Sequence, residues 1–143
     1  MLKDTNKTEL GIIRSLANTE EYVRKAEKEL SSNMFMSLSK EEYKRVFNIN
    51  GINIVKAKED IQEIKERKIQ NLVSNYQQIT TVTSEDIDKT FAELESKSKV
   101  ASYWYSIIRS SENTCRIIDK YTGTMLLETD IMIANKIIKA TFE

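Results

Sequence analysis

The side chains of this chain that could do chemistry are of a few restricted kinds. Carboxylates cluster at Glu20-Glu21, at Glu59-Asp60 with Glu63 and Glu66, and at Glu85-Asp86 with Asp88. Paired carboxylates run acid and base catalysis when a cleft drives their pKa values apart. Here they interleave with lysines opposite the apolar stripes of helices, which is the pattern of a solvated face carrying ion pairs such as Glu21 to Lys25. Ser37 and Lys40 stand at S-x-x-K spacing, but the companion motifs of that nucleophile are absent. Histidine is missing altogether and Cys115 is the one cysteine. The usual proton carrier at neutral pH is therefore lacking, and no zinc site of the common structural kind can form. Cys115 reads as a small buried hydrophobe. Glycines at 11, 51 and 123 lie too far apart for a phosphate-cradling loop. No catalytic residue, cofactor or metal is predicted.

What remains conspicuous is the run Tyr103-Trp104-Tyr105. The spacing predicts a helix over about 85–110, with Ile87, Phe91, Leu94, Ser98, Ala101, Tyr105 and Ile108 on one stripe and Val100, Trp104 and Ile107 on a second. At about 100° per residue, three successive aromatics cannot share a face. Tyr103 then falls on the side of Ser96 and Lys99. An exposed tyrosine beside a half-buried tryptophan is a composition favoured at binding hot spots. The predicted protein-binding set is therefore Lys99, Val100, Tyr103, Trp104 and Ile107, together with Tyr121 at a loop tip. A competing reading puts Trp104 and Tyr105 in the core and leaves Tyr103 as an ordinary surface residue.

The elements that must position these residues follow from periodicity and punctuation. Ile12, Ile13, Leu16, Ala17, Val23, Ala26 and Leu30 share one arc of a helix over about 4–30, with Asp4 or Thr5 as cap and Ser31-Ser32-Asn33 as its end. Ser39 and Glu42 form a capping box for a short helix through about Arg45. Within 46–55, an Asn50-Gly51 turn would pair Ile49 with Ile52, Asn48 with Asn53 and Phe47 with Ile54. The alternative is a helix ending at Asn-Gly and another beginning at Ile52. A helix over about 56–78 follows, whose first half offers only Ala57, Ile61 and Ile64 to a partner. That half should project while the second half enters the core. Residues 114–128 read as a hairpin around Asp119-Lys120-Tyr121-Thr122-Gly123, with the glycine left-handed. A last helix starts after Thr129 or Asp130. The predicted class is α+β, mainly helical: a bundle of about four long or medium helices in a single domain spanning 1–143, with the 114–128 hairpin and the 46–55 hairpin as a second.

Composition bounds the function. Lys plus Arg and Asp plus Glu both number 22, for a net charge of zero. General nucleic-acid binding would call for a basic excess, and mimicry of DNA for an acidic one. The opening MLKDTNKTEL has no apolar core of a signal peptide, and no uncharged run is long enough to span a membrane. A cytoplasmic protein is expected, and its Lys, Ile and Asn usage suggests a low-GC bacterium or its phage. The leading expectation is a non-enzymatic protein-binding module, such as a phage or mobile-element inhibitor or regulator acting on a host protein, with homo-oligomerisation open. The alternative is a small-ligand-binding, sequestering protein with a pocket between helices or at a dimer interface.

Overall fold

The computed structural model describes residues 7–33, 48–49, 52–76 and 82–143. Two long helices, α1 (Glu9–Asn33) and α2 (Ile54–Asn75), run antiparallel: Lys65 pairs with Glu20 at 3.3 Å and Lys58 with Glu27 at 3.6 Å. Both pairs step by seven residues along each helix, the spacing of a coiled-coil seam. Thr8 caps α1, its Oγ1 accepting from the Gly11 N–H at 3.1 Å. The helix thus starts at Glu9, later than predicted; Asp4 and Thr5 lie outside the described residues, as do the short helix predicted before Arg45 and the Ser37/Lys40 pair. Strands β1 (Asn48–Ile49) and β2 (Ile52–Asn53) pair Asn48 with Asn53 and Ile49 with Ile52, the predicted register. Ile54 then opens α2, so the ladder does not extend to it.

The rest of the chain is a three-stranded antiparallel sheet with helices on one face. Helix α3 (Ser84–Ser98) is capped by Thr83, whose Oγ1 accepts from the Asp86 N–H, and Glu85 and Asp86 sit at the positive end of its dipole. Strands β3 (Tyr105–Arg109), β4 (Thr114–Asp119) and β5 (Met125–Asp130) follow in that spatial order. Helix α4 (Ile131–Phe142) is capped by the Asp130 carboxylate, which accepts from the Met132 N–H at 2.8 Å. The predicted 114–128 hairpin is present: the β4–β5 turn has Gly123 at φ +74°, and the Gly123 N–H bonds Asp119 O at 2.8 Å. Between Ile117 and Ile118 the register slips by a β-bulge, so adjacent Leu126 and Leu127 both turn inward.

One prediction is overturned in type. The helix expected over 85–110 ends at Ser98, and Tyr105–Arg109 is a strand. Lys99 and Val100 close the helix through their N–H groups to Ser96 O and Lys97 O. The Lys120 ammonium then takes the carbonyls of Ser98 and Val100 at 2.8 and 3.2 Å, a cation on the negative end of the dipole. Beyond that point the buried residues are Tyr105 and Ile107, alternating with Ser106 and Ile108. A period of two fits the aromatic and β-branched content of this stretch, which favours a pleated strand. The helices accordingly do not form one bundle: α1 and α2 pair with each other, while α3 and α4 cover the sheet.

The buried apolar side chains among the described residues belong to the sheet and to Trp104 just before it, to α3 and α4, to the first turns of α1 (Leu10, Ile13, Ala17) and to the end of α2 (Leu72). The projecting first half of α2 behaves as predicted: Ala57, Ile61 and Ile64 are only half-buried.

Candidate interaction surface

The aromatic run lies largely inside the protein. Trp104 is only 7% exposed, Tyr105 and Ile107 are buried, and Tyr103 is half-buried. Phe142 near the end of α4 is their common neighbour, its ring centroid 4.7 Å from Tyr103, 5.2 Å from Trp104 and 5.9 Å from Tyr105. The Tyr105 hydroxyl donates to Leu94 O at 2.6 Å, and burial pushes this phenol above its ordinary range, with smaller contributions from Tyr103 and Glu143. Packing therefore accounts for Trp104, Tyr105 and Ile107. Of the predicted set, Lys99, Val100 and Tyr121 remain exposed. The reach of Lys120 to Val100 O makes the α3–β3 connection a neighbour of the β4–β5 turn that carries Tyr121.

Beneath Tyr121 a polar clasp ties α1 to the sheet. The Arg14 Nε donates to Asp119 Oδ2 at 2.6 Å, Asn18 adds a bond at 3.3 Å, and the guanidinium lies 4.3 Å from the centroid of Trp104. The other carboxylate oxygen, Oδ1, accepts the turn amides of Tyr121 and Thr122. Burial alone would raise the Asp119 carboxyl. Bonds from Arg14, the Tyr121 amide, Asn18 and the Thr122 amide outweigh it and hold the group below its ordinary value. This clasp is structural: its charges neutralise each other.

The register shows which side chains the sheet presents to solvent. Tyr105, Ile107 and Arg109 face Asp119, Ile117 and Cys115 on the helix-covered side, while Ser106 and Ile108 face Ile118 and Arg116 on the other. On β5, Met125 and Glu128 complete that outer side. Ile108 is 53% and Met125 48% exposed, with half-buried Ile118 close by. Arg116 Nε bonds Glu128 Oε2 at 2.8 Å across the strands, which lowers the Glu128 carboxyl. Helices α3 and α4 reach the sheet from the inner side, through Leu94 to Tyr105, Asp88 to Arg109 and the buried isoleucines of α4. Comparison with protein-family models, with curated proteins and with solved structures gave no match. Among the residues of described burial, Ile108 and Met125 on the outer sheet face are the exposed large apolar side chains carried by strands. The sequence signal for that face was the alternation within 105–109, hidden by a helical reading of the same residues.

Two other features have defined places. Cys115 is buried on the inner side, and burial, helped by Asp130 and Glu128, pushes its thiol up to about 12. A groove of about 330 Å³ lies where α1, α2 and α4 meet, lined among others by Lys7, Leu10, Leu72, Tyr76 and Ile137. No described helix is long and apolar enough to cross a membrane, and no described group of three or more Cys, Asp or Glu side chains could hold a metal ion.

Proposed function

We propose that this protein is a non-enzymatic, cytoplasmic protein-binding module, an inhibitor or regulator of phage or mobile-element type. In this reading it grips a host protein through the outer face of its sheet. The observation that carries the reading is the exposure of Ile108 and Met125 on either side of Ile118, beside an Arg116–Glu128 pair in which each member is about half exposed. An apolar centre flanked by one base and one acid suits a protein surface of the same mixed kind, whereas phosphates would call for a single sign of charge. Val100 and Tyr121 extend the set at one end of the sheet. Met125→Asp changes an exposed position and should leave the fold intact. The test is to purify the partner captured from a low-GC bacterial lysate and titrate it against wild type and M125D. The expected loss is about tenfold or more in affinity; equal binding, or no stoichiometric partner at all, sinks the proposal.

The groove between α1, α2 and α4 favours a second reading, a small-ligand binder, because its volume lies at the lower end of the range for ligand pockets. A thermal-shift screen against nucleotides and metabolites separates the two. Stabilisation that Tyr76→Ala abolishes would favour the groove, and its absence favours the sheet face.

A further inference from the structure

The sheet end carries three sulfurs among the described residues, and the fold sorts them by access. Cys115 is buried on the inner side of β4, opposite Arg109 and Thr129. A thiol reacts with peroxide as its thiolate. Burial first, then Asp130 and Glu128, hold Cys115 in the protonated form near neutral pH. A thioether has no proton to lose, so its oxidation follows the access of solvent to the sulfur. Met132, in the first turn of α4, is half-buried against the core. Met125 is half exposed on the outer side of the sheet, opposite Ile118.

The bulge is what turns Met125 outward. Counted back from the Ile117–Leu127 pair, a regular ladder sets Leu126 opposite Ile118 and Met125 opposite the buried Asp119. One extra residue in β5 reverses those sides, because successive side chains of a strand alternate between its faces. Leu126 goes into the core and Met125 joins Ile118 outside. The distortion therefore places a sulfur, rather than a leucine, at the centre of the exposed apolar face.

We propose that Met125 is an oxidation site and that its sulfoxide switches off binding at the outer sheet face. The switch rests on the host-partner reading; the site itself does not. The oxidant is hydrogen peroxide. A lone pair of the Met125 Sδ attacks one peroxide oxygen, an S–O bond forms and the O–O bond breaks. The hydroxide that leaves takes the proton of the new S–OH and departs as water. Sulfur is oxidised by two electrons and peroxide is reduced by two. A polar sulfoxide then stands where an apolar side chain was. Solvent hydrates it in the free protein, so the fold is kept. Docking against an apolar partner surface strips that water and leaves the oxygen without a donor, which weakens the complex.

The experiment exposes the folded protein to dilute hydrogen peroxide, samples it over time and maps tryptic peptides by mass spectrometry. Cys115 falls in peptide 110–116, and Met125 and Met132 fall in 121–136, where fragment ions separate them. Met1, Met34 and Met36 lie outside the described residues and in other peptides. The expected result is one oxygen on Met125 while Cys115 and Met132 stay unmodified, with the near-ultraviolet signal of Trp104 unchanged. Oxidation of Cys115 or Met132 before Met125 overturns the site. The captured partner is then titrated against peroxide-treated wild type and equally treated Met125→Leu, which keeps an apolar side chain without sulfur. Wild type should lose about tenfold or more in affinity, M125L should keep its own, and a methionine sulfoxide reductase should restore wild type. A loss that M125L shares overturns the switch, and so does an affinity that oxidation leaves unchanged. If M125D binds the partner as tightly as wild type, the sheet-face reading fails and the switch with it, while the peptide map still decides the site.

Discussion

The sheet end of the molecule and the helical arm formed by the far halves of α1 and α2 are held by different forces. At the sheet end, side chains from α3, α4 and three strands interdigitate, and Leu94, Ile117, Ile131 and Ile138 are sealed from solvent. In the arm the two helices have chiefly each other, and two ion pairs, Glu20 with Lys65 and Glu27 with Lys58, bridge them. Hydrophobic burial is cooperative and strong, while the attraction within an ion pair is largely offset by the cost of taking its charges out of water. The arm should therefore open locally at a free energy well below that of global unfolding. A long helix is thus no sign of a stable region; its stability follows what its apolar face can reach.

The largest test of that difference compares one truncation at each end. Leu94→Ala should cost about 3–4 kcal/mol in denaturant unfolding, because it empties a site closed on all sides. Ile61→Ala, in the arm, should cost about 1 kcal/mol since its side chain is only half-buried; equal costs would abolish the distinction. Next is the clasp that joins the two ends. Asp119→Ala leaves the Arg14 guanidinium and two turn amides without their acceptor and should cost about 3 kcal/mol. The same group fixes a pH dependence. Its folded pKa is depressed, so the unfolded chain binds more protons near and below pH 4. Its contribution is complete above that range and is lost as pH falls through it, so unfolding curves of D119A measured against pH should show a shallower acid limb than wild type.

A smaller effect of opposite sign is expected in the arm. Replacing Glu20 and Lys65 together by leucine continues the apolar seam of Ile13 and Leu72 and should stabilise the arm by about 1 kcal/mol, read as slower exchange of its amides. The smallest perturbation is chemical. Cys115, buried with its thiol near 12, should react with a disulfide reagent only as fast as the sheet end unfolds; rapid labelling would show that this end opens as readily as the arm.

The parts legible in the sequence were those with local chemistry. Thr129 or Asp130 as the start of the last helix and Gly123 as a left-handed turn residue each act within a few positions, and α4 and the 114–128 hairpin follow from them. The projection of early α2 was legible too, because its apolar residues are sparse there. The stretch 99–109 was not, since Val100, Trp104, Tyr105, Ile107 and Ile108 fit a period of 3.6 and a period of two alike. What decides between them is non-local: Lys120, far along the chain, takes the carbonyls at the end of α3 and β4 offers a ladder. The same ambiguity moved the candidate surface. On a helix Trp104 would have been half exposed; on the approach to a strand it packs against Phe142 and Arg14, and Ile108 and Met125 join Val100 and Tyr121 among the exposed apolar side chains.

The Arg14–Asp119 clasp sits near one end of a rigid rod. Asn33, at the other end of α1, lies about 28 Å further along at about 1.5 Å per residue. In mechanical terms the clasp is a fulcrum close to the load: a tilt of about 5° there, within the slack of a side-chain hydrogen bond, sweeps the far end of the helix through about 2.5 Å. Whatever pushes on the far end of the arm therefore does so with leverage on a single buried carboxylate.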